Sequence, residues 1–170
     1  MLLSSQREMQ VSHFRAWVLV AVPLIAILFQ VYLPLFFNFL GYLELPLLVV
    51  AYFGLMKRNP IRGLLMGAAV GLVQDSLSKN PLGTFGIVKT LVGYFAASIG
   101  IRLDVDHPLI RVGLAYFFFV FHQFLYWVLA RALLRQQMPF DVARTLLFGL
   151  LNAAVAWVLY HFLDKLREQA

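Results

Sequence analysis

Long apolar segments alternate with short polar breaks along the whole chain. The breaks contain Pro60, Pro81, Pro108 and Pro139, and proline commonly marks the ends of helices. Because a helix needs about 20 apolar residues to cross the hydrocarbon of a bilayer, the pattern predicts about six short-looped transmembrane helices. The expected spans are residues 14–37, 43–56, 63–77, 84–101, 109–134 and 142–163.

The composition supports a membrane protein. Of the 170 residues, 62% are hydrophobic and only 13% are charged, and the mean hydropathy is +0.81. These values lie well outside the range of an ordinary soluble domain. We therefore predict an all-α, polytopic membrane helix bundle that forms a single transmembrane domain over residues 1–170.

The basic residues predict the orientation of this bundle. With six spans both termini lie on one side, so lysine and arginine can be counted on alternate faces. The terminal face carries Arg7, Arg15, Lys57, Arg58, Arg62, Arg102, Arg111, Lys165 and Arg167. The opposite face carries Lys79, Arg131, Arg135 and Arg144. Positive charge favours the cytoplasmic side, so both termini are predicted to be cytoplasmic. Membrane topology explains the net charge of +6 better than nucleic-acid binding does.

The third predicted span has a ridge of small residues. Gly63, Gly67 and Gly71 recur at intervals of four, which places them on one face of the helix. Small residues at this spacing let a second helix approach closely inside a membrane. Packing within the bundle is the favoured interpretation, and a groove for a partner protein is the alternative.

Two charged residues flank the turn after this span. Asp75 and Lys89 each lie seven residues from Leu82, so antiparallel helices joined there bring them to a similar depth. Each charge alone costs about 2.5–3.5 kcal/mol at the centre of a membrane, which makes a mutual ion pair plausible. We favour a structural clasp over a proton relay or a ligand site.

Further polar residues predict a small polar interior. They are Gln30, Glu44, Gln74, His122, Gln123 and Asn152. Isolated polar residues of this kind usually form hydrogen bonds between helices, and a substrate pocket is the less favoured alternative. The chain has no cysteine, and it lacks the sequence motifs of zinc peptidases and serine hydrolases. We therefore predict no catalytic residue, no metal site and no cofactor.

One part of the chain resembles a known family. The segment 63–78, with its spaced glycines and its Gln-Asp ending, is followed by Pro81-Leu82-Gly83 and by Leu91-Val92-Gly93-Tyr94. This arrangement resembles MreD, the rod-shape-determining membrane protein. On that resemblance Gly67, Gly71, Asp75, Pro81 and Gly83 match the family pattern and shape the hairpin between the third and fourth spans. Lys89 is not part of the recognised pattern.

The resemblance implies a function without catalysis. It implies a subunit of the bacterial inner membrane that works with MreC, the elongation polymerase and the transpeptidase, surrounded by membrane lipid and without nucleic acid. Such a subunit scaffolds or activates peptidoglycan synthesis and maintains rod shape by packing against the helices of its partners.

Two other functions remain as alternatives. The fold also resembles the substrate-binding subunits of energy-coupling-factor vitamin transporters, which use a small-residue ridge on the first span for docking. Here Ala16, Ala21 and Ala26 are five residues apart, a spacing that winds around the helix and weakens this alternative. A small intramembrane enzyme or proton-coupled carrier that uses Asp75, Lys89 and His122 is the third possibility.

Overall fold

A computed structural model describes residues 12–168, and within them the chain forms six α-helices. These are α1 (Ala16–Tyr32), α2 (Leu45–Lys57), α3 (Pro60–Leu77), α4 (Thr84–Arg102), α5 (Pro108–Ala132) and α6 (Val142–Asp164). Within residues 12–168, five segments are long and apolar enough to span a membrane: Ala16–Leu35, Asn38–Lys57, Thr84–Arg102, Pro108–Ala132 and Val142–Asp164. Helix α3 is not among them, since its glycines and its polar residues lower its hydropathy. The predicted class, an all-α membrane helix bundle, is confirmed.

Proline and side-chain caps set several helix ends. Pro46, Pro60 and Pro108 stand in the first turns of α2, α3 and α5, where an amide hydrogen is not needed. The side chains of Asn59 and Asp141 accept backbone hydrogen bonds at the starts of α3 and α6. The polar breaks of the sequence therefore coincide with real helix boundaries.

The first helix is shorter than the apolar segment that contains it. The expected span runs to residue 37, but α1 ends at Tyr32 and two 3-10 turns follow, Leu33–Leu35 and Asn38–Tyr42. Pro34 lies in the first of these turns and cannot continue the α-helical hydrogen bonds. The chain therefore reaches α2 through compact turns.

Helix α2 is the centre of the bundle. Every residue from Pro46 to Met56 is buried, and α2 contacts all five other helices. A 13-residue helix rises only about 20 Å. Its first residue, Leu45, consequently lies inside the bundle, where its backbone N–H needs a partner from another helix.

Helices α3 and α4 form the closest pair. A Cβ atom added at Gly67 would overlap the carbonyl of Lys89, and one added at Gly71 would overlap the carbonyl of Phe85. Gly63 faces the backbone of Gly93 in the same way. The glycine ridge of α3 thus lies directly against the backbone of α4.

The two ends of the described chain meet at one end of the bundle. Strand β1 (His13–Phe14) pairs antiparallel with strand β2 (Arg167–Glu168). Ion pairs lie close to this ladder. Arg111 binds Asp164 through two hydrogen bonds of 2.6 and 2.8 Å, and Asp106 lies 3.3 Å from both Arg58 and Arg167.

Candidate functional site

A buried polar cluster lies near the first turn of α2. Lys89 of α4 places its Nζ atom 3.5 Å from Glu44 Oε2 and 3.2 Å from His122 Nε2. The ammonium also lies 4.3 Å from the centroid of the Phe85 ring. Lys89 is 0%, His122 1% and Glu44 8% exposed. The charge of Lys89 is therefore compensated inside the bundle by residues from two other parts of the fold.

This geometry corrects the predicted pair between Asp75 and Lys89. The Asp75 carboxylate instead accepts hydrogen bonds from the backbone N–H groups of Gly83, Phe85 and Gly86, at 2.9, 3.1 and 3.0 Å. The first N–H groups of a helix have no acceptor within that helix, and a carboxylate satisfies them well. Asp75 thus caps α4, and Lys89 pairs with Glu44.

Two amide side chains hold the start of α2. Asn152 of α6 accepts a hydrogen bond from the Glu44 N–H at 2.9 Å, and Gln30 of α1 accepts one from the Leu45 N–H at 3.2 Å. Asn152 also donates to the carbonyls of Tyr42 and Phe148, both at 2.9 Å. Together these side chains satisfy backbone groups at the start of α2, and they join α1, α2 and α6.

A cavity of about 330 Å³ adjoins this cluster at the end of the bundle opposite the β1–β2 ladder. It lies between the start of α2, the last turns of α5 and the first turns of α6. Glu44 and His122 lie at its inner side, and Trp127, Phe140 and Arg144 belong to its wall. Arg144 donates to the Tyr42 hydroxyl at 2.6 Å.

Comparison with known proteins identifies the family. A family model described as rod shape-determining protein MreD matches residues 12–169. The chain belongs to the MreD family. Neither the curated proteins nor the solved structures gave a match. MreD membership indicates a multi-pass membrane protein with a role in determining rod shape, associated with the shape-determining complex. The family is not known as an enzyme.

The residues predicted from the resemblance to match the MreD pattern lie at the turn between α3 and α4 and along the contact of these helices. Gly83 adopts a φ of +95°, a left-handed conformation that glycine allows without strain. The carbonyl of Pro81 accepts hydrogen bonds from the N–H and the hydroxyl of Thr84. With Asp75, these residues shape the beginning of α4, while Gly67 and Gly71 lie farther along the contact.

Not all of the predicted polar interior of this MreD chain joins the cluster. Glu44, His122, Asn152 and Gln30 are linked as described above. Gln123 belongs to the cavity wall. Gln74 lies in α3 and is 3% exposed, and its Oε1 atom has no hydrogen-bond partner within residues 12–168.

Sequence reasoning missed a second buried polar group at the ladder end of this MreD fold. Asp164 accepts hydrogen bonds from Arg111 and from the hydroxyl of Tyr52 at 2.7 Å. Arg111 was counted only as a charge of the terminal face. The available signal was its position within the first turn of an apolar helix, where a cation needs a nearby carboxylate.

Proposed function

We propose that this chain is a non-enzymatic inner-membrane subunit of the cell-wall elongation complex. In this proposal it works with MreC, and with the elongation polymerase and transpeptidase, to scaffold or activate peptidoglycan synthesis. The family match over residues 12–169 is the observation that carries the proposal.

The contrast between paired charges in the interior and apolar side chains on the surface supports a scaffold. The buried charges Lys89, Glu44, Asp75 and Arg111 have partners within the bundle, so they stabilise the arrangement of the helices. The outer faces of α1 and α6 are apolar. Their exposed side chains include Trp17, Leu24, Ile25, Leu28, Leu147, Leu150, Trp157 and Val158. Surfaces of this kind suit contact with lipid or with the helices of partner subunits.

A scaffold of this type acts through differential binding. If the surface binds one arrangement of the partner helices more tightly than another, it shifts the complex toward that arrangement. No bond is made or broken by the subunit itself, so no catalytic residue is needed.

We also propose that both termini are cytoplasmic. The support is the excess of lysine and arginine at the ladder end over the loop that joins α5 and α6. Reporter fusions that are active only in the cytoplasm should fluoresce when attached after residue 170 and stay dark when inserted near residue 137. The reverse pattern would contradict this orientation.

The functional proposal is tested by copurification from native membranes in mild detergent. Recovery of MreC with the polymerase or the transpeptidase is the expected result. Recovery of paired ATPases with a coupling membrane subunit would instead favour a vitamin transporter, the alternative based on the resemblance to the substrate-binding subunits of energy-coupling-factor transporters. Recovery of none of these proteins would also count against the scaffold.

A further inference from the structure

We propose that the connection between α1 and α2, residues 33–43, does not reach water but lies in the membrane. It binds the acyl chains of the leaflet opposite the β1–β2 ladder. This lipid contact goes beyond the scaffold function and does not depend on it. The charge pattern of the chain, the exposed side chains of the connection, the length of α2 and the backbone hydrogen bonds of the connection support it.

The connection carries no charge. No aspartate, glutamate, lysine, arginine or histidine occurs between Arg15 and Glu44, so α1 and the connection form one uncharged stretch. Each of the other four connections between helices carries at least one charged residue, and these residues include Arg58, Lys79, Asp104 and Arg135. A charge is costly inside a membrane and is well solvated in water. The first connection is therefore the one suited to hydrocarbon.

Large apolar side chains of the connection are exposed. Leu35 is 74% and Phe36 80% exposed, and Phe37 and Phe39 are 55% and 62% exposed. The rings of Phe37 and Phe39 are in edge-to-face contact, with 6.3 Å between their centroids. Such a cluster at a water-exposed tip would be unfavourable, whereas acyl chains solvate it well.

Lipid is a better occupant of this surface than the helix of a partner protein. Close contact between helices in a membrane favours small residues, which let the two backbones approach. The exposed residues of the connection are large, and they lie on two short 3-10 turns rather than along one helix face. Flexible acyl chains can adapt to such an uneven surface.

The short central helix sets the depth of the connection. Helix α2 ends at Lys57, whose charge belongs at the membrane surface of the ladder end. Its 13 residues rise about 20 Å, whereas the hydrocarbon is about 30 Å thick. The start of α2 therefore lies about 10 Å below the opposite surface of the hydrocarbon, and deeper if the helix tilts. The 3-10 turn Asn38–Tyr42 rises about 10 Å, so even upright it only reaches that surface.

The backbone of the connection is suited to this depth. A non-helical segment can lie in hydrocarbon only when its polar groups are paired within the protein. The N–H groups of Phe36 and Phe37 donate to the carbonyl of Leu33, both at 3.0 Å. The N–H of Leu40 donates to Phe37 at 3.0 Å, and that of Leu43 donates to Leu40 at 3.1 Å. The next two N–H groups donate to the amide side chains that hold the start of α2.

Cysteine labelling tests the placement, because the chain has no cysteine of its own. Phe36→Cys and Gln137→Cys each place one thiol at an exposed position at the same end of the bundle. The full-length variants are studied in nanodiscs, where both membrane surfaces meet water, so the orientation of the protein does not matter. Maleimides react with the thiolate, which hydrocarbon disfavours. A charged maleimide should therefore label Phe36→Cys roughly tenfold more slowly than Gln137→Cys, and both equally after unfolding in SDS.

Spin labels on the same thiols show what covers the connection. Oxygen concentrates in hydrocarbon, whereas a nickel chelate stays in water. The label on Phe36→Cys should collide often with oxygen and rarely with nickel, and the label on Gln137→Cys should show the reverse. Phe39→Cys, at a second exposed position of the connection, repeats both measurements and decides the test if Phe36→Cys does not fold.

Two results would overturn the proposal. Equal labelling of Phe36→Cys and Gln137→Cys by the maleimide in nanodiscs would place the connection in water. Rare collisions with both oxygen and nickel would show that protein covers it, either this chain or a second copy. The nanodiscs contain no partner subunit, so neither result depends on the elongation complex.

Discussion

Lys89 and Glu44 form an ion pair inside the bundle although 45 residues separate them, with 3.5 Å between Nζ and Oε2. The pair joins the second turn of α4 to the residue that precedes the central helix α2. Since Lys89 also contacts His122, one ammonium links α4 with the start of α2 and with α5.

The first prediction follows from this pair. Lys89→Met leaves the Glu44 carboxylate buried without its cation and should lower the free energy of unfolding by about 3–5 kcal/mol. The double variant Lys89→Met with Glu44→Gln removes both charges and should recover roughly half of that loss. Thermal unfolding of the purified protein in detergent measures both. Lys79→Met, at an exposed lysine, is the control and should change little. Equal losses in the single and the double variants would contradict the pairing.

The second prediction concerns Asp75 as a cap. Asp75→Ala leaves three N–H groups at the start of α4 without an acceptor, and each unpaired buried donor costs about 1–3 kcal/mol. Asp75→Asn keeps one carbonyl oxygen and should cost less. Hydrogen exchange should accelerate at the amides of Phe85 and Gly86, but not at Arg144, which Asp141 caps on another helix. Uniform acceleration at all of these amides would argue against a local cap.

Asp75→Asn also distinguishes a scaffold from a proton-coupled carrier. A scaffold requires only the fold, so cells that produce normal levels of this variant should remain rod-shaped. Spherical cells at normal protein levels would support a proton-carrying role for the carboxylate and contradict the proposed function. Microscopy combined with an immunoblot of the membrane fraction decides between the two.

The hydropathy, proline and glycine patterns predicted the parts of the fold that depend on one helix at a time. Pro60 and Pro108 mark helix starts because their effect is local, and the spacing of Gly67 and Gly71 places them on one face whatever packs there. Which residue pairs with Lys89 is not decided within one helix. It depends on where α2 begins and on its register against α4, which no local pattern specifies.

The same reason explains the error over Asp75. Equal distances from Leu82 place Asp75 and Lys89 at a similar depth, but depth does not decide which groups meet. The free N–H groups of α4 are present at the hairpin turn in any antiparallel arrangement, and they bind the carboxylate. Only the packed structure shows that Glu44 is then available to Lys89.

The third prediction uses two glycines with opposite surroundings. A methyl group at Gly67 would overlap the Lys89 carbonyl, so Gly67→Ala must separate α3 from α4 and should lower the free energy of unfolding by about 1–3 kcal/mol. Gly113 is helical and has open space around its Cβ position, so Gly113→Ala should be neutral or stabilise by up to about 1 kcal/mol. Thermal unfolding of both variants tests the contact. A Gly67→Ala protein as stable as Gly113→Ala would show that the two helices do not pack as described.

The fourth prediction compares two ion pairs at the ladder end. Asp164 accepts hydrogen bonds from Arg111 and Tyr52, and the side chain of Arg111 is only 8% exposed. Asp164→Ala should therefore lower the free energy of unfolding by about 2–3 kcal/mol, since both donors lose a charged acceptor. Asp106 is 49% exposed, against 31% for Asp164, and its contacts with Arg58 and Arg167 are single hydrogen bonds of 3.3 Å, so Asp106→Ala should cost less, about 1 kcal/mol.

The response to salt should also distinguish the two ion pairs. Screening weakens exposed charges more than buried ones, so raising the ionic strength should reduce the effect of Asp106→Ala by a larger fraction than that of Asp164→Ala. Unfolding measured at low and high salt tests this difference. If both variants lost the same stability and responded equally to salt, then Arg111 and Asp164 would act as an ordinary surface pair. The three-residue group of Tyr52, Arg111 and Asp164 would then not hold α2, α5 and α6 together.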